Sequence, residues 1–436
     1  MAKTKEPDLM DKLVSLCKRR GFIFQSSEIY GGLNALWDYG PMGVELKRNI
    51  KDIWWEAMTQ LRDDIEGVDA AIVMHPKVWE ASGHVQNFTD PLVDCKKCKQ
   101  RFRADQVEGK KCPNCGGELT EARLFNLMFK TFLGPVEDQA SIAYLRPETA
   151  QGIYVNFLNV LGPSRQKIPF GIAQIGKAFR NEISPGNFIF RSREFEQMEM
   201  QFFIHPKEDS KWLEYWRDER FKWYINLGVK KENLKLHQHD NKELAHYAKM
   251  AYDIEYNFPF GWKEIEGIHN RTNFDLTQHS QFSGKDLTYF DDATKERFIP
   301  YIIETSAGVD RSMLVFLVDA YHEEEVKGEK RVSLKLSPKI APVKVAVLPL
   351  VNRDNMPEVA TKIFHDLKKH FKCFYDDGGA IGRRYRRQDE IGTPYALTVD
   401  SQTLQDDTVT LRDRDSMEQI RVNTSQLVDV IKKKLG

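Results

Sequence analysis

Neither sign of charge is in excess along these 436 residues. With 64 Lys plus Arg against 64 Asp plus Glu the formal net charge is zero, so composition carries no electrostatic footprint for nucleic acid and any such contact must use local patches. Long apolar runs are missing as well. No stretch approaches the roughly 20 apolar residues of a membrane span, and the opening MAKTKEPDLMDKLV carries charges where a secretory signal needs an apolar centre; a cytoplasmic protein with no membrane partner is expected. Internal repeats and low-complexity tracts are absent. Cysteine is scarce: six residues in a chain this long make a poor disulfide framework. What is left is a soluble globular composition, 41% hydrophobic and 29% charged, long enough for two or three domains with proper cores.

Four of the six cysteines are clustered in DCKKCKQRFRADQVEGKKCPNCGG. Cys95 and Cys98, then Cys112 and Cys115, form two C-x2-C turns thirteen residues apart. Each turn aims two thiolates at one point, and two turns complete the tetrahedral sulfur set that Zn2+ prefers. The site is closed, so a structural zinc, about one per chain, is expected. The gap is shorter than in a zinc ribbon and Gly116-Gly117 follows the second pair, which suggests a small knuckle. Cys17 and Cys373 stand alone and read as ordinary buried thiols.

From Gly40-Pro41 onward, Val44, Leu46, Ile50, Ile53, Trp54, Met58 and Leu61 recur at helical spacing behind a helix-opening proline. GVDAAIVMHP then reads as a strand stopping at Pro76, and this unit's large apolar face is either core or a subunit contact. Past a Lys-rich, proline-bearing stretch a boundary is placed near 335. Beyond it VKVAVLPL, MPEVATKIFHDLKKHF, FKCFYDD, YALTVD and DTVTLRD alternate strand and helix, a compact α/β domain of about 100 residues.

The chemistry concentrates in AFRNEISPGNFIFRSREFEQMEMQFF, residues 178–203. Strand alternation puts Gln174, Gly176, Ala178, Arg180 and Glu182 on one face of a first arm. In a second arm Phe195, Gln197, Glu199 and Gln201 share a face and Met198, Met200 and Phe202 take the other. Pro185-Gly186 supplies turn chemistry between them. Cross-strand ion pairing alone would account for an ordinary charged hairpin. Small residues leading to Arg180, an aromatic on the polar face and a row of amides and acids instead describe a floor that grips something anionic, flat and partly cationic.

Taken together the motifs resemble those of class II aminoacyl-tRNA synthetases, of the dimeric glycyl-tRNA synthetase family. The helix and strand ending at Pro76 resemble motif 1, FRNE with FRSREFEQME resembles motif 2, and ETSAGVDRSML at 304–314 resembles motif 3. YGGLNALWDYGPMGVELKRNI, LRPETAQG and YRRQDEIGTP are similar to stretches particular to the glycine enzymes. The resemblance implies an α+β fold: a six-stranded antiparallel catalytic sheet over residues 1–335 with a zinc-binding insertion at 94–120, and an α/β anticodon-binding domain over 336–436. It implies a homodimer through motif 1, ATP, Mg2+ and glycine as ligands, and tRNA(Gly) as partner.

The implied reaction joins glycine's carboxylate to the α-phosphate of ATP and then passes glycyl to the 3' end of tRNA. By resemblance Arg180 meets the α-phosphate, Arg311 the far end of the triphosphate, and Glu264 a magnesium ion; these three are the expected catalytic groups. The nucleotide is expected against Asn181, Glu182, Phe190, Arg191, Arg193, Glu194, Phe195, Ile265, Gly308, Val309 and Asp310, with Phe195 stacked on adenine. Glu148, Glu199 and Glu304 are assigned to glycine's ammonium, Arg271 to its carboxylate, Ser306 to the space beside its α-carbon, and Gln197, Phe195 and Gly308 to the pocket walls. Arg103 is either a further substrate contact or a solvated arginine in a Lys-rich loop. The run Arg383, Arg384, Tyr385, Arg386 and Arg387 offers cations and an aromatic to RNA, or forms a solvated helix face. Rival readings are a prolyl- or threonyl-type enzyme, or a synthetase-like accessory protein; the glycine-type signatures oppose the first, and the presence of both Arg180 and Arg311 opposes the second.

Overall fold

Seven strands form the central sheet of the computed structural model, which describes residues 8–240, 242–245 and 248–436. They are β1 (Ile65–Gly67), β2 (Phe170–Phe179), β3 (Glu194–Ile204), β4 (Leu234–Gln238), β5 (Met250–Phe258), β6 (Gly261–Thr272) and β7 (Tyr301–Gly308). The spatial order is β4-β5-β6-β7-β3-β2-β1. The first six are antiparallel, as the resemblance implied, and short β1 adds a parallel edge beside β2.

Alternation along β3 divides this sheet into two faces. Met198, Met200 and Phe202 enter the large core, with each such burial contributing about 1.5–3 kcal/mol. That core is shared with helices α1 (Pro41–Trp55), α2 (Asp209–Asn226) and α3 (Val309–Ala320). Gln197, Glu199 and Gln201 project from the opposite face and are buried there too.

Helix α1 begins as the sequence predicts, with Gly40 as an extended N-cap and Pro41 in the first turn, and buries Leu46, Ile50 and Trp54. A Cβ at Gly43 would stand 1.9 Å from the Phe22 carbonyl oxygen, so only glycine allows this approach. Two members of the predicted apolar series are not covered: Val44 is 51% and Leu61 72% exposed. The strand expected to run to Pro76 stops at Gly67. Beyond it the backbone turns to Arg146, whose Nη1 donates to Ala70 O at 2.7 Å and whose backbone N donates to Ile72 O at 3.3 Å. Those carbonyls are therefore taken by another segment, with Val73 and Leu145 forming an isolated antiparallel bridge, and do not extend β1 beside β2.

The link between β2 and β3 is also wider than a Pro-Gly turn. The strands part after the Phe179–Glu194 pair, and the chain reverses at Asn187 and Phe188, both left-handed at φ 56° and 59°, before a short 3-10 turn over Phe188–Phe190. Gly186 and Arg191 bond each other across its tip, and the link brings Glu182, Phe190 and Arg191 to the wall of one cavity.

After α3 the hairpin of β8 (Tyr321–Val326) and β9 (Glu329–Leu334) leads to a second sheet. Its strands are β10 (Val345–Pro349), β11 (Cys373–Tyr375), β12 (Tyr395–Val399), β13 (Thr408–Asp413) and β14 (Gln419–Asn423), in the order β11-β10-β12-β13-β14. Helices α4 (Met356–Leu367), α5 (Ile381–Ile391) and α6 (Leu427–Leu435) complete the expected α/β unit. The intervening Leu336, Ile340, Ala341 and Val343, near the expected boundary, pack into the large core with Ile391.

The basic run lies on α5 and only part of it faces outward. Arg384 is 3% exposed and donates to the Gly379 and Pro349 carbonyls, while Tyr385 bonds Thr398 and lies under Arg412. Arg387 pairs with Asp376 at 2.7 Å. The expectation of one RNA-facing patch is thus corrected: Arg384 and Tyr385 are spent inside the domain, and Arg383 is the exposed cation of the run.

The same helix fastens the two units together. Asp389, buried, accepts from Arg331 Nε of β9 at 2.8 Å and from Arg412 Nη1 at 2.9 Å, and Arg331 also reaches Glu324 and the Arg414 carbonyl. Arg414 in turn donates to the Leu336 and Gly392 carbonyls at 2.8 and 2.7 Å. Removing the shared anion leaves two buried guanidinium groups short of charge. Asp389→Ala is therefore expected to cost about 3 kcal/mol and, in calorimetry, to let the C-terminal unit melt ahead of the rest; one unshifted transition would contradict this clamp.

Candidate active site

The polar face of β3, β6 and β7, the link between β2 and β3, Glu148 and the start of α3 line a cavity of about 230 Å3. Strand register decides which side chains meet in it. Glu199 on β3 stands opposite Gln174 on β2 and Ser306 on β7, and Ser306 stands opposite Gly267 on β6. One step along, Gln201 opposes Glu304 and Glu304 opposes His269. Residues tens of positions apart in sequence, and in two cases just over a hundred, are therefore side-by-side pairs about 5 Å apart at Cβ.

Three carboxyl groups share the inner end: Glu148, Glu199 and Glu304. Glu304 Oε2 accepts from Arg271 Nη1 at 3.1 Å and from Gln201 Nε2 at 2.9 Å, and its Oε1 faces His269 Nδ1 at 2.8 Å. Burial alone would raise its pKa, but the Arg271 charge and the His269 contact outweigh it and hold the group at about 2. Glu148 is held down in the same way against burial by His84, 3.4 Å away, and by Arg271. Glu199 has no cation in contact among the described residues. It accepts from Thr149 N at 3.2 Å, the Thr149 hydroxyl and Gln201 Nε2 at 3.3 Å. Burial and the neighbouring Glu304 and Glu148 charges push its pKa well above the carboxylate range. Arg271 is itself pinned by Asp275, at 2.8 and 2.9 Å.

The outer end is arginine-rich. Arg180 donates from Nε to the Pro147 carbonyl at 3.0 Å and lies 5.4 Å from the ring centroids of both Phe88 and Phe195. Arg311 lies 4.6 Å from the Phe190 ring centroid and 3.6 Å from the half-exposed Glu264 carboxylate. Arg191 faces Glu182 at 4.0 Å. Two cationic groups thus flank an aromatic-walled slot that opens onto the carboxyl cluster.

Most predicted site residues line this cavity: Glu148, Arg180, Glu182, Phe190, Arg191, Phe195, Gln197, Glu199, Glu264, Ile265, Arg271, Glu304, Ser306, Gly308, Asp310 and Arg311. Others are held elsewhere. Asn181 bonds the Leu127 carbonyl through its backbone N, Arg193 donates to the Asn34 and Glu182 carbonyls, Glu194 pairs with Lys177, and Val309 is in the large core. Arg103 is neither solvated nor in the cavity: Asp90 and Asp105 each hold it at 2.8 Å. Asp310, at the cavity wall, has its carboxylate committed to structure, since it accepts from Lys47 Nζ at 2.8 Å, from Tyr39 and from Glu196 N at 2.8 Å. That network ties α1 and α3 to β3.

Sequence reasoning passed over His269, Gly267, His84 and Thr149. His269 had a usable signal, because it lies two residues before Arg271 and so shares its face of β6. For His84 and Thr149 only the tertiary approach to Glu148 and Glu199 reveals a role.

Apart from the cavity, the sulfurs of Cys95, Cys98, Cys112 and Cys115 lie within 4.8 Å of one another. Cys95 and Cys115 Sγ are 3.5 Å apart, and Cys98 and Cys112 Sγ 3.7 Å. These are the edge lengths of a tetrahedron with metal–sulfur bonds of about 2.3 Å, so the donor set fits one metal ion. A Cβ at Gly117 would approach the Cys95 and Cys115 sulfurs to 3.2 and 3.3 Å, which accounts for the glycine in the knuckle turn. Cys17 is buried and Cys373 partly so.

Comparison with known proteins bears on both units. A family model described as the class II tRNA synthetase core domain (G, H, P, S and T) matches residues 135–320, and the anticodon binding domain model matches 344–434. The chain is 61% identical over 434 residues to the glycine–tRNA ligase of Treponema denticola, covering 97% of this chain and 96% of that one. It is 58% identical over 430 residues to that of Borreliella burgdorferi, covering 97% of each, and 54% identical over 455 residues to that of Thermobifida fusca, covering 98% of each. Among solved structures, a prolyl-tRNA synthetase from Cryptosporidium parvum with L-proline and AMP superposes at a TM-score of 0.66 and 15% identity, covering 98% of this chain and 78% of that one. At that identity the likeness speaks for the fold.

Proposed function

The chain belongs to the glycine–tRNA ligase family of class II synthetases, and from that premise we propose how its residues divide the work. The enzyme activates glycine with ATP, releasing pyrophosphate, and transfers glycyl to tRNA. In the first step a glycine carboxylate oxygen bonds to the α-phosphorus as the bond to the pyrophosphate oxygen breaks; in the second a terminal ribose hydroxyl attacks the glycyl carbonyl and AMP leaves. A carboxylate is already a nucleophile, so the work is positioning and charge stabilisation.

Arg180 takes the α-phosphate, where negative charge grows, and Arg311 the far phosphates; the slot between Phe195 and Phe190 supports the adenine. Glu264, half-exposed at the mouth beside Arg311, is the hard oxygen donor that would hold magnesium, whose chemistry is to neutralise phosphate oxygens. Glu148, Glu199 and Glu304 receive the ammonium. Arg271 is engaged by Asp275 and Glu304, so it acts on the carboxylate cluster at least as much as on the substrate carboxylate. The observation that carries the amino-acid assignment is the floor of the cavity, where Ser306 lies across from Gly267 and beside the buried Glu199: there is charge for an ammonium, and the Ser306 side chain is assigned to exclude a Cβ.

The four-cysteine set favours zinc by its all-sulfur chemistry, in a structural role. Residues 1–335, with the 94–120 insertion, are assigned to catalysis and 336–436 to the anticodon; the family matches at 135–320 and 344–434 support that division. Arg383 and Arg386 are the members of the basic run offered to tRNA. Exposed Val44 on α1 and exposed Leu61 beyond its C-terminal end support a homodimer contact in this region. No helix among the described residues is long and apolar enough to cross a membrane, and a cytoplasmic site of action is in keeping with the reaction.

ATP–pyrophosphate exchange, run with glycine and in parallel with alanine, serine, proline and threonine, is expected to proceed with glycine alone. Ser306→Gly is expected to admit alanine; glycine-to-alanine selectivity unchanged in that variant would refute the exclusion floor. Elemental analysis of extensively dialysed protein is expected to return about one zinc per chain, and a metal-free result from folded protein would remove the zinc assignment.

A further inference from the structure

His269 has no role in the division above, yet it lines the cavity and touches one of its three acids. A carboxylate accepts hydrogen bonds only, so the proton between His269 Nδ1 and Glu304 Oε1, 2.8 Å apart, belongs to the ring. Three donors then hold Glu304: the imidazole on Oε1, and Arg271 and Gln201 on Oε2. Two donors on one oxygen leave the carboxylate free to pivot about it. The third, on the other oxygen, fixes the plane.

Two features of the fold put the ring in that place. His269 and Glu304 are direct partners in the β6–β7 ladder, so the separation of their backbones is set by the sheet and not by a loop. Gly267, two residues earlier on the same face, leaves the space into which the ring leans: a Cβ there would lie 2.8 Å from His269 Cε1 and 3.0 Å from its Nε2. On its far side the ring faces Asp253 of β5, Nε2 to Oδ1 at 3.9 Å, and Asp253 Oδ2 is held by His239 Nε2 at 2.8 Å. Glu304, His269, Asp253 and His239 thus alternate acid and base from the cavity to the outer strands. Burial pulls the imidazole pKa down, and the Glu304 bond with the Glu304 and Asp253 charges raises it by more, against the nearby Arg271, so its net shift is upward. Glu264 adds a further acid on the same strand.

We propose that His269 is a positioning residue for amino-acid binding, aiming the Glu304 carboxylate at the substrate ammonium through its Nδ1–H. The proposal rests on the glycine-site reading of the cavity. It separates His269 from the residues that meet ATP, because its contacts run to Glu304 and Asp253 and away from Arg180 and Arg311. It also distinguishes the two ring nitrogens: Nδ1 does the aiming, and Nε2 only keeps the ring upright against Asp253.

Three variants test this by ATP–pyrophosphate exchange with glycine and ATP varied separately. His269→Leu fills similar space without a donor and is expected to raise the glycine KM about tenfold, the order of a hydrogen bond to a charged group, with the ATP KM within about twofold of wild type as an internal control for folding. His269→Asn places an amide N–H near the position of Nδ1 and is expected to bring the glycine KM back to within about threefold of wild type. A glycine KM unchanged in His269→Leu overturns the proposal. So does an equal rise in His269→Leu and His269→Asn, which would mean that ring shape matters and the donor does not. Glu304→Gln run alongside separates the two layers of the argument, since an unchanged glycine KM there would bring down the glycine-site reading itself.

Discussion

Three carboxyl groups facing one small buried cavity are the constraint on which the rest of the molecule depends. Like charges at that distance and in that dielectric cannot all ionise unaided, so the surrounding structure supplies compensation unevenly. Glu304 receives Arg271 and His269, Glu148 receives His84, and Glu199 receives only neutral donors. Glu304 and Glu148 are therefore favoured in the ionised form, while burial and the two neighbouring acids push the Glu199 pKa upward, so a cation entering the cavity relieves Glu199 most. The placement of these acids is set by the structure around the cavity.

That placement rests on the antiparallel sheet. Register fixes Glu199 beside Ser306 and Glu304 beside His269 with no loop involved. Behind the strands, Asp310 gathers Lys47, Tyr39 and the Glu196 backbone into one buried network, so the helices that close the core are tied to the same strand that carries Glu199. The loop bearing Arg191 and Phe190 meets the segment between the two cysteine pairs, where the Arg103 backbone N donates to Ser184 Oγ at 3.3 Å. The anticodon unit joins this body through buried arginines around Asp389 instead of through a flexible linker.

How much of this could be read beforehand followed from how local each cause is. The faces of β3 were legible because alternation is a property of neighbouring residues, and the metal set because C-x2-C spacing carries its own geometry. The reversal at Asn187 and Phe188 was not, since left-handed backbone at a phenylalanine has no sequence signature and Pro185-Gly186 advertised a tighter turn. The strand predicted up to Pro76 failed because its carbonyls are claimed by Arg146, a partner some seventy residues away. Arg384 was misread with its neighbours because a run of charges does not say which members a helix turns inward. His269 was passed over because its importance lies in cross-strand pairing with Glu304, which no single strand discloses.

The account turns on a bound ammonium favouring loss of a proton from Glu199, whose pKa burial and the neighbouring Glu304 and Glu148 charges push upward. Calorimetric titration of glycine, with a non-hydrolysable ATP analogue present, in two buffers of different ionisation heat measures that proton directly. The account predicts net proton release on binding by wild type, with glycine affinity rising as pH rises, and none by Glu199→Gln. Glycine binding by wild type with no net proton exchange would contradict it.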